Sequence, residues 1–151
     1  MTQHVADRLL AAIVAQLQAA GLVVAIDAEP ASLPGVILEN IEDKRTDVIG
    51  RFPSQELRQI SLDVFCCDKA NSTQILGRVG ELHFAVHNAL LGSQSAKTLG
   101  GVLVNGLDSE SSVFRTDTER LEQPIAGWSM QLTCFYSLRS DRPGLFEKEL
   151  P

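Results

Sequence analysis

An α+β fold is what this sequence predicts: a mixed, largely antiparallel sheet with two helices packed on one face and long β-hairpin arms. Two observations carry it. Apolar residues recur at helical spacing in two stretches, 3–20 and about 72–91, and at every second position in others, above all 56–67 and 127–138. The order α-β-β-β-α-β-β-β gathers the helices against one face of a sheet, and neither a fixed-period repeat nor a linker divides the chain. Residues 1–151 therefore read as one domain.

The first helix, 3–20, places Val5, Leu9, Ile13 and Leu17 on one stripe, joined by Ala6 and Leu10; Thr2 can cap its start and Gly21 stops it. LVVAI, 22–26, suits a short buried strand, and EPASLPG, 29–35, is turn chemistry because its prolines cannot donate to a ladder. GVILENIED, 35–43, reads as a second strand. KRTDVIGRFPSQ, 44–55, has charge, Gly50 and Pro53 but little period, so it reads as a mobile contact loop at a hairpin tip. In ELRQISLDVFCC, 56–67, Ile60, Leu62, Val64 and Cys66 share one face and Ser61, Asp63 and Phe65 the other.

Asn71 or Ser72 can cap the second helix, whose stripe is Ile75, Val79, Leu82, Val86 and Leu90, with Gly92 as its stop. A loop at 93–100, a strand in GVLVNGL, 101–107, and a strand at 112–116 follow, with Asn105-Gly106 as a turn or strand end. The closing strand, 127–138, sets Trp128, Met130, Leu132, Cys134, Tyr136 and Leu138 on one face and Ser129, Gln131, Thr133, Phe135 and Ser137 on the other. RSDRPG then opens an exposed C-terminal arm, 139–151, that reads as a contact element.

With 44% hydrophobic and 21% charged residues the chain can bury a core without staples. A net charge of −6 leaves no basic footprint for gripping nucleic-acid phosphates, which argues against a repressor or nuclease but is compatible with a lumen through which DNA slides. The N-terminal stretch lacks a basic n-region and is interrupted by Asp7 and Arg8, so neither a secretion signal nor a membrane span is expected, and the expected place is the cytoplasm. Three cysteines without C-x-x-C spacing read as reduced, packed thiols.

Catalytic and metal signatures are missing from the pattern. His83 and His87 stand four apart on the second helix, but no H-E-x-x-H arrangement and no third ligand accompany them. Gly77-Arg78-Val79-Gly80 and Gly100-Gly101 lack the lysine and hydroxyl of a phosphate loop, and the serines of DSESSVFRTD, 108–117, lack a nucleophile elbow.

Two features exceed a plain soluble fold. Phe84 lies opposite the buried stripe of its helix, on the side of Gly77 and Gly80, which permits close approach of a second subunit. The strands 56–67 and 127–138 exceed the common ~5–6 residues and reach about 40 Å, so they can extend past the core as arms. Candidate contact residues are Arg45, Arg51 and Phe52 in the tip segment, Phe84 on the helix, and Arg139 and Arg142 in the tail. The segment Asp108–Glu122 adds Asp108, Glu110, Arg115, Asp117, Glu119 and Arg120; its five acids and two arginines give −3, so crowding copies together is expected to respond to salt or divalent cations.

Taken in order, the amphipathic first helix, ELRQISLDVFCC, the helix NSTQILGRVGELHFAVHNALLG and the strand GWSMQLTCFYSLRSD resemble the tail terminator (tail-completion) proteins of long-tailed bacteriophages. The resemblance spans almost the whole chain and rests on element order, length and style. It implies a ring, usually of six subunits, that caps the tail tube, halts its polymerisation and offers a surface to the head-tail connector or neck protein. It implies no catalysis and no cofactor, DNA passing through the lumen without specific binding, and a place first in the host cytoplasm and then in the virion tail. The rival expectation is a non-catalytic ligand-binding or regulatory α+β domain, since layer architectures of this kind host many functions.

Overall fold

The structure, a computed structural model, describes residues 4–71, 74–117 and 124–150. Its fold is α+β: α1 (Val5–Ala19), β1 (Val24–Ile26), β2 (Gly35–Ile49), β3 (Gln55–Lys69), α2 (Ile75–Leu91), α3 (Gln94–Lys97), β4 (Leu107–Asp117), β5 (Ile125–Arg139) and a terminal 3-10 turn, Glu147–Glu149. The strands form one sheet in the order β1-β2-β3-β5-β4. Only β1–β2 is parallel, and the other three pairings are antiparallel.

The core follows the two periods. Val5, Leu9, Ile13 and Leu17 of α1 and Leu82, Val86 and Leu90 of α2 are buried against Ile60, Leu62, Val64 and Cys66 of β3 and Met130, Leu132, Cys134, Tyr136 and Leu138 of β5, and Val79 of α2 is buried as well. Each such side chain contributes about 1.5–3 kcal/mol when fully buried, which offsets the ordering of two helices that would be marginal alone. The opposite face carries a smaller cluster of Ile37, Phe65, Cys67 and Ile125. Trp128 is only partly buried, edge-on to Phe114 and tilted against His83.

β3 and β5 pair without a slip from Gln55↔Arg139 to Lys69↔Ile125. Fifteen residues each, they span about 50 Å, so the sheet outruns the helices that cover it. Gly127 permits their close approach: a Cβ there would run into the backbone carbonyl of Cys66.

Five expectations need correction. The stretch 44–55 is not a loop, because β2 runs on to Ile49 and β3 begins at Gln55, leaving a short connection with Gly50 at φ +82°. Its pattern hid the strand because no residue from Lys44 to Pro53 is buried on either face, and the ladder with β3 holds it instead. GVLVNGL is not a strand before Leu107: the chain there turns, plugging Leu103 into the core, and β4 occupies Leu107–Asp117 rather than 112–116. The loop 93–100 contains α3, capped by Ser93, whose hydroxyl accepts from the Ala96 N–H at 3.1 Å. Asn71 is not the cap of α2, which starts later with Gln74 at its N-cap, while Ser72 lies outside the described residues. Thr2 also lies outside them, and His4 caps α1 by accepting from the Ala6 N–H at 3.0 Å.

The fifth correction concerns the tail. Residues 139–150 are not an exposed arm: the chain folds back and docks on α1, where the Val5 N–H donates to the Pro143 carbonyl at 3.0 Å and Phe146 is 4% exposed. Arg8 fixes the turn, donating to both Glu149 oxygens (2.5 and 3.0 Å) and to the Gly144 carbonyl (2.8 Å) while stacking 4.7 Å over the Phe146 ring. The Arg8 guanidinium, with the Phe146 N–H, holds the Glu149 carboxyl down to about 2.

Candidate functional site

The distal β2–β3 hairpin is built from polar alternation with apolar residues at its tip. Arg45 stands opposite Arg58 in the register, a like-charge pair that Glu56 bridges from both sides, at 3.6 Å to Arg45 and 3.2 Å to Arg58. Arg58 also donates to Asp43 at 3.2 Å, and the Tyr136 hydroxyl donates to both Asp43 oxygens at 3.0 and 2.9 Å. Burial first, then the adjacent Asp43 carboxylate, raises the Tyr136 phenol above its ordinary value. The base of the arm is thus tied into the core by charge-assisted hydrogen bonds, while beyond it Val48, Ile49 and Phe52 stand exposed. Phe52, at 79%, is the most exposed large apolar residue of the described chain.

Beyond the short pairing with β1 at Val36–Leu38, the outer side of β2 has no neighbouring strand among the described residues. At the other end of the sheet β4 pairs only with β5 among the described residues, so its outer side is open there too. Both sheet ends therefore present backbone donors and acceptors for a further strand.

α2 lies on the β4 side, where His83 reaches Ser112 across 3.3 Å. Burial, then His87, lowers the pKa of His83. Among the described residues no three His, Cys, Asp or Glu side chains gather to hold a metal. The outward face of α2 shows Leu76 and Phe84 at 64% and 66% exposure, and a Cβ on Gly77 or Gly80 would meet nothing. Glycines inside a helix cost about 0.5–1 kcal/mol each relative to alanine, and nothing among the described residues uses the space they leave.

The sequence-derived candidates scatter accordingly. Arg45, Arg51 and Phe52 lie together on the arm and are exposed; Phe84 is exposed on α2; Asp108 and Glu110 are exposed on β4. Arg115 is committed inside the sheet, paired with buried Glu39, 3.7 Å from Asp117 and stacked 3.9 Å over the Phe65 ring. Glu119 and Arg120 lie outside the described residues. Arg139 is held by Asp141 at 2.6 Å, and Arg142 is exposed where the tail turns back. Sequence reasoning read 56–67 and 127–138 as the arms that meet neighbours, but β3 and β5 pair along their whole length inside the sheet and the open edges belong to β2 and β4. It also missed Ile49, whose exposure becomes visible only once 44–49 is known to be a strand.

An open cavity of about 340 Å³ sits beside β5 where β4 has ended, lined by Leu103, Val104, Phe135, Tyr136 and Phe146 among others. Among its polar neighbours Tyr136 is engaged with Asp43 and Ser137 with Glu147 at 3.1 Å. The three cysteines are buried, and burial pushes each thiol up to about 12, far from nucleophilic readiness. No described helix is long and apolar enough to cross a membrane.

No family model matches this chain, and no curated protein matches it.

Proposed function

We propose that this chain is a structural protein of virion assembly: a ring-forming tail terminator that caps the tail tube of a long-tailed bacteriophage, stops its polymerisation and provides the head-joining surface. One observation supports the reading above others. A single sheet ends in two different surfaces without a partner among the described residues, the arm edge of β2 on one side and β4, with the exposed apolar residues of α2, on the other. Two unlike surfaces at opposite ends of a subunit suit heterologous association, which closes into a ring when the rotation between copies fits. The resemblance to tail terminators supplies the rest of the reading, including the hexamer, the tube and the neck partner, and a role without catalysis. The proposed lumen passes DNA without binding it, in keeping with a net charge of −6 per subunit.

The test is native mass measurement and negative-stain imaging of the purified chain, alone and with tail tubes of the same phage. A closed ring of about six copies, seated at tube ends and shortening the tubes formed in its presence, is the expected result. A strict monomer at high concentration that neither binds tube ends nor alters tube length would overturn the proposal.

A further inference from the structure

The open edges also say how one copy meets the next. This inference rests on the ring reading above and adds the contact that would build the ring. From Lys44 to Pro53 every residue of the arm is exposed, and this stretch carries Lys44, Arg45 and Arg51 against the single acid Asp47, a net +2. β4 carries Asp108, Glu110 and Asp117 against Arg115, a net −2. Pairing two arms, or two β4 edges, sets like charge against like; pairing arm with β4 sets opposite charges together.

Direction agrees with charge. β2, β3, β5 and β4 are antiparallel in succession, so β4 runs opposite to β2 within the subunit. Copies related by a rotation that keeps their strands aligned therefore bring β4 of one against β2 of the next in antiparallel sense, the ladder already used by most of the sheet. The levels are offset: Leu107 of β4 meets Cys134, which meets Ile60, whereas the fully exposed part of β2, from Lys44 to Ile49, lies opposite Gln59 to Gln55. Full overlap thus requires neighbouring copies to be staggered along the strands, and a tilt of the strands to the ring axis supplies such a stagger without lifting one copy above another. α2 lies beside β4, where His83 reaches Ser112, and a neighbour docked on that edge can also cover the exposed Leu76 and Phe84, which gives Gly77 and Gly80 the close approach they leave room for.

We infer that the β2 arm of one copy adds as an antiparallel strand to the β4 edge of a second copy of this chain, with the α2 face beside it buried in the same contact. The test exploits the burial of the three native cysteines. Thr46→Cys is made in one preparation, and Ser109→Cys, Ser111→Cys or Ser112→Cys in another, so that the neighbouring registers are all sampled; the preparations are mixed and oxidised mildly. Mixed disulfide dimers as the main product, lost at high salt and on Lys44→Glu/Arg45→Glu, are expected. Restoration by pairing that charge-reversed arm with Asp108→Lys/Glu110→Lys completes the expected pattern. Homodimers of Thr46→Cys as the main product would overturn the inference in favour of a two-fold contact. A wild-type ring, seen by native mass, that yields no mixed disulfide in any register would overturn this contact and leave the ring reading standing. A wild-type monomer that also gives no cross-link would remove both.

Discussion

Tyr136→Phe is the sharpest probe of how the arm is held. The hydroxyl is 8%-exposed Tyr136's only polar group, and it donates to both oxygens of Asp43, which Arg58 also engages. A hydrogen bond to a charged partner contributes about 1.5–3 kcal/mol, and because Asp43 keeps Arg58 and some solvent contact the lower end applies, so a loss of about 1.5 kcal/mol is expected at neutral pH. The phenol's pKa is raised in the folded chain above its ordinary value of 10.0. Its contribution is therefore fully present below pH 10 and declines as pH rises above that value, since the unfolded chain then ionises first. Wild type and Tyr136→Phe should differ by a constant amount from neutral pH to about pH 9.5 and converge above pH 10. The raised cysteines also titrate in the alkaline range, but they are common to both proteins and cancel in the difference. Urea unfolding across pH 7–11 measures it. Hydrogen exchange at the amides of 44–49 should quicken in the variant while those of 62–66 keep their protection. A stability difference below about 0.5 kcal/mol, or one that stays constant through pH 11, would refute the assignment of this bond as the anchor of the arm.

Three further outcomes follow from the same structure. Glu149 is held down to about 2 by Arg8, so docking of the tail on α1 gains from this pair above the ordinary carboxylate range and loses it as pH falls toward 2. Fluorescence of a probe attached at the C-terminus should report release of the tail over that window in wild type, and already at neutral pH in Arg8→Met. Gly127→Ala forces a Cβ into the backbone of β3, which can move only by breaking the β3–β5 ladder; a loss of about 3 kcal/mol or more, or failure to fold, is expected by denaturant titration. Gly77→Ala and Gly80→Ala, by contrast, meet open space in the isolated chain and should each stabilise it by about 0.5–1 kcal/mol, while lowering the mass of any assembly that buries the α2 face.

The helices and the central strands were legible because their residues face a core. The stripe Val5, Leu9, Ile13, Leu17 and the alternation Ile60 to Cys66 are buried as their periods require. The pattern failed wherever burial is one-sided or missing. β2 beyond Asp43 buries nothing, so KRTDVI carries no period, although twelve register pairs join β2 to β3 along its length. The tail failed for another reason. Its docking depends on Arg8, distant in sequence and read only as a charge interrupting a helix, and on Phe146, one apolar residue without a repeat around it. Of the contact candidates, exposure could be read for Phe52 and Phe84, whose neighbours are polar or small, but Arg115 could not be assigned because its partner Glu39 lies on a strand at the other side of the sheet.

An open strand edge is a liability in a monomer, since it pairs with whatever strand it meets. Here the two edges carry net charge of opposite sign, positive from Lys44 to Pro53 and negative on β4, which discourages each from pairing with its own kind. The same arrangement leaves one combination favoured, arm to β4, and that combination is the heterologous one. Repeated without closure it would give an open filament; closure by rotation satisfies both edges of every copy and leaves none to recruit more chain. In the proposed ring the two faces, formed by opposite ends of the strands, would differ in chemistry, since Ile49, Arg51 and Phe52 all lie at the arm tip. Exchange of Phe52 for Ser should therefore leave the ring mass unchanged and weaken attachment at one face only, read by whether tube binding or neck binding is lost; loss of the ring itself would place Phe52 between subunits instead.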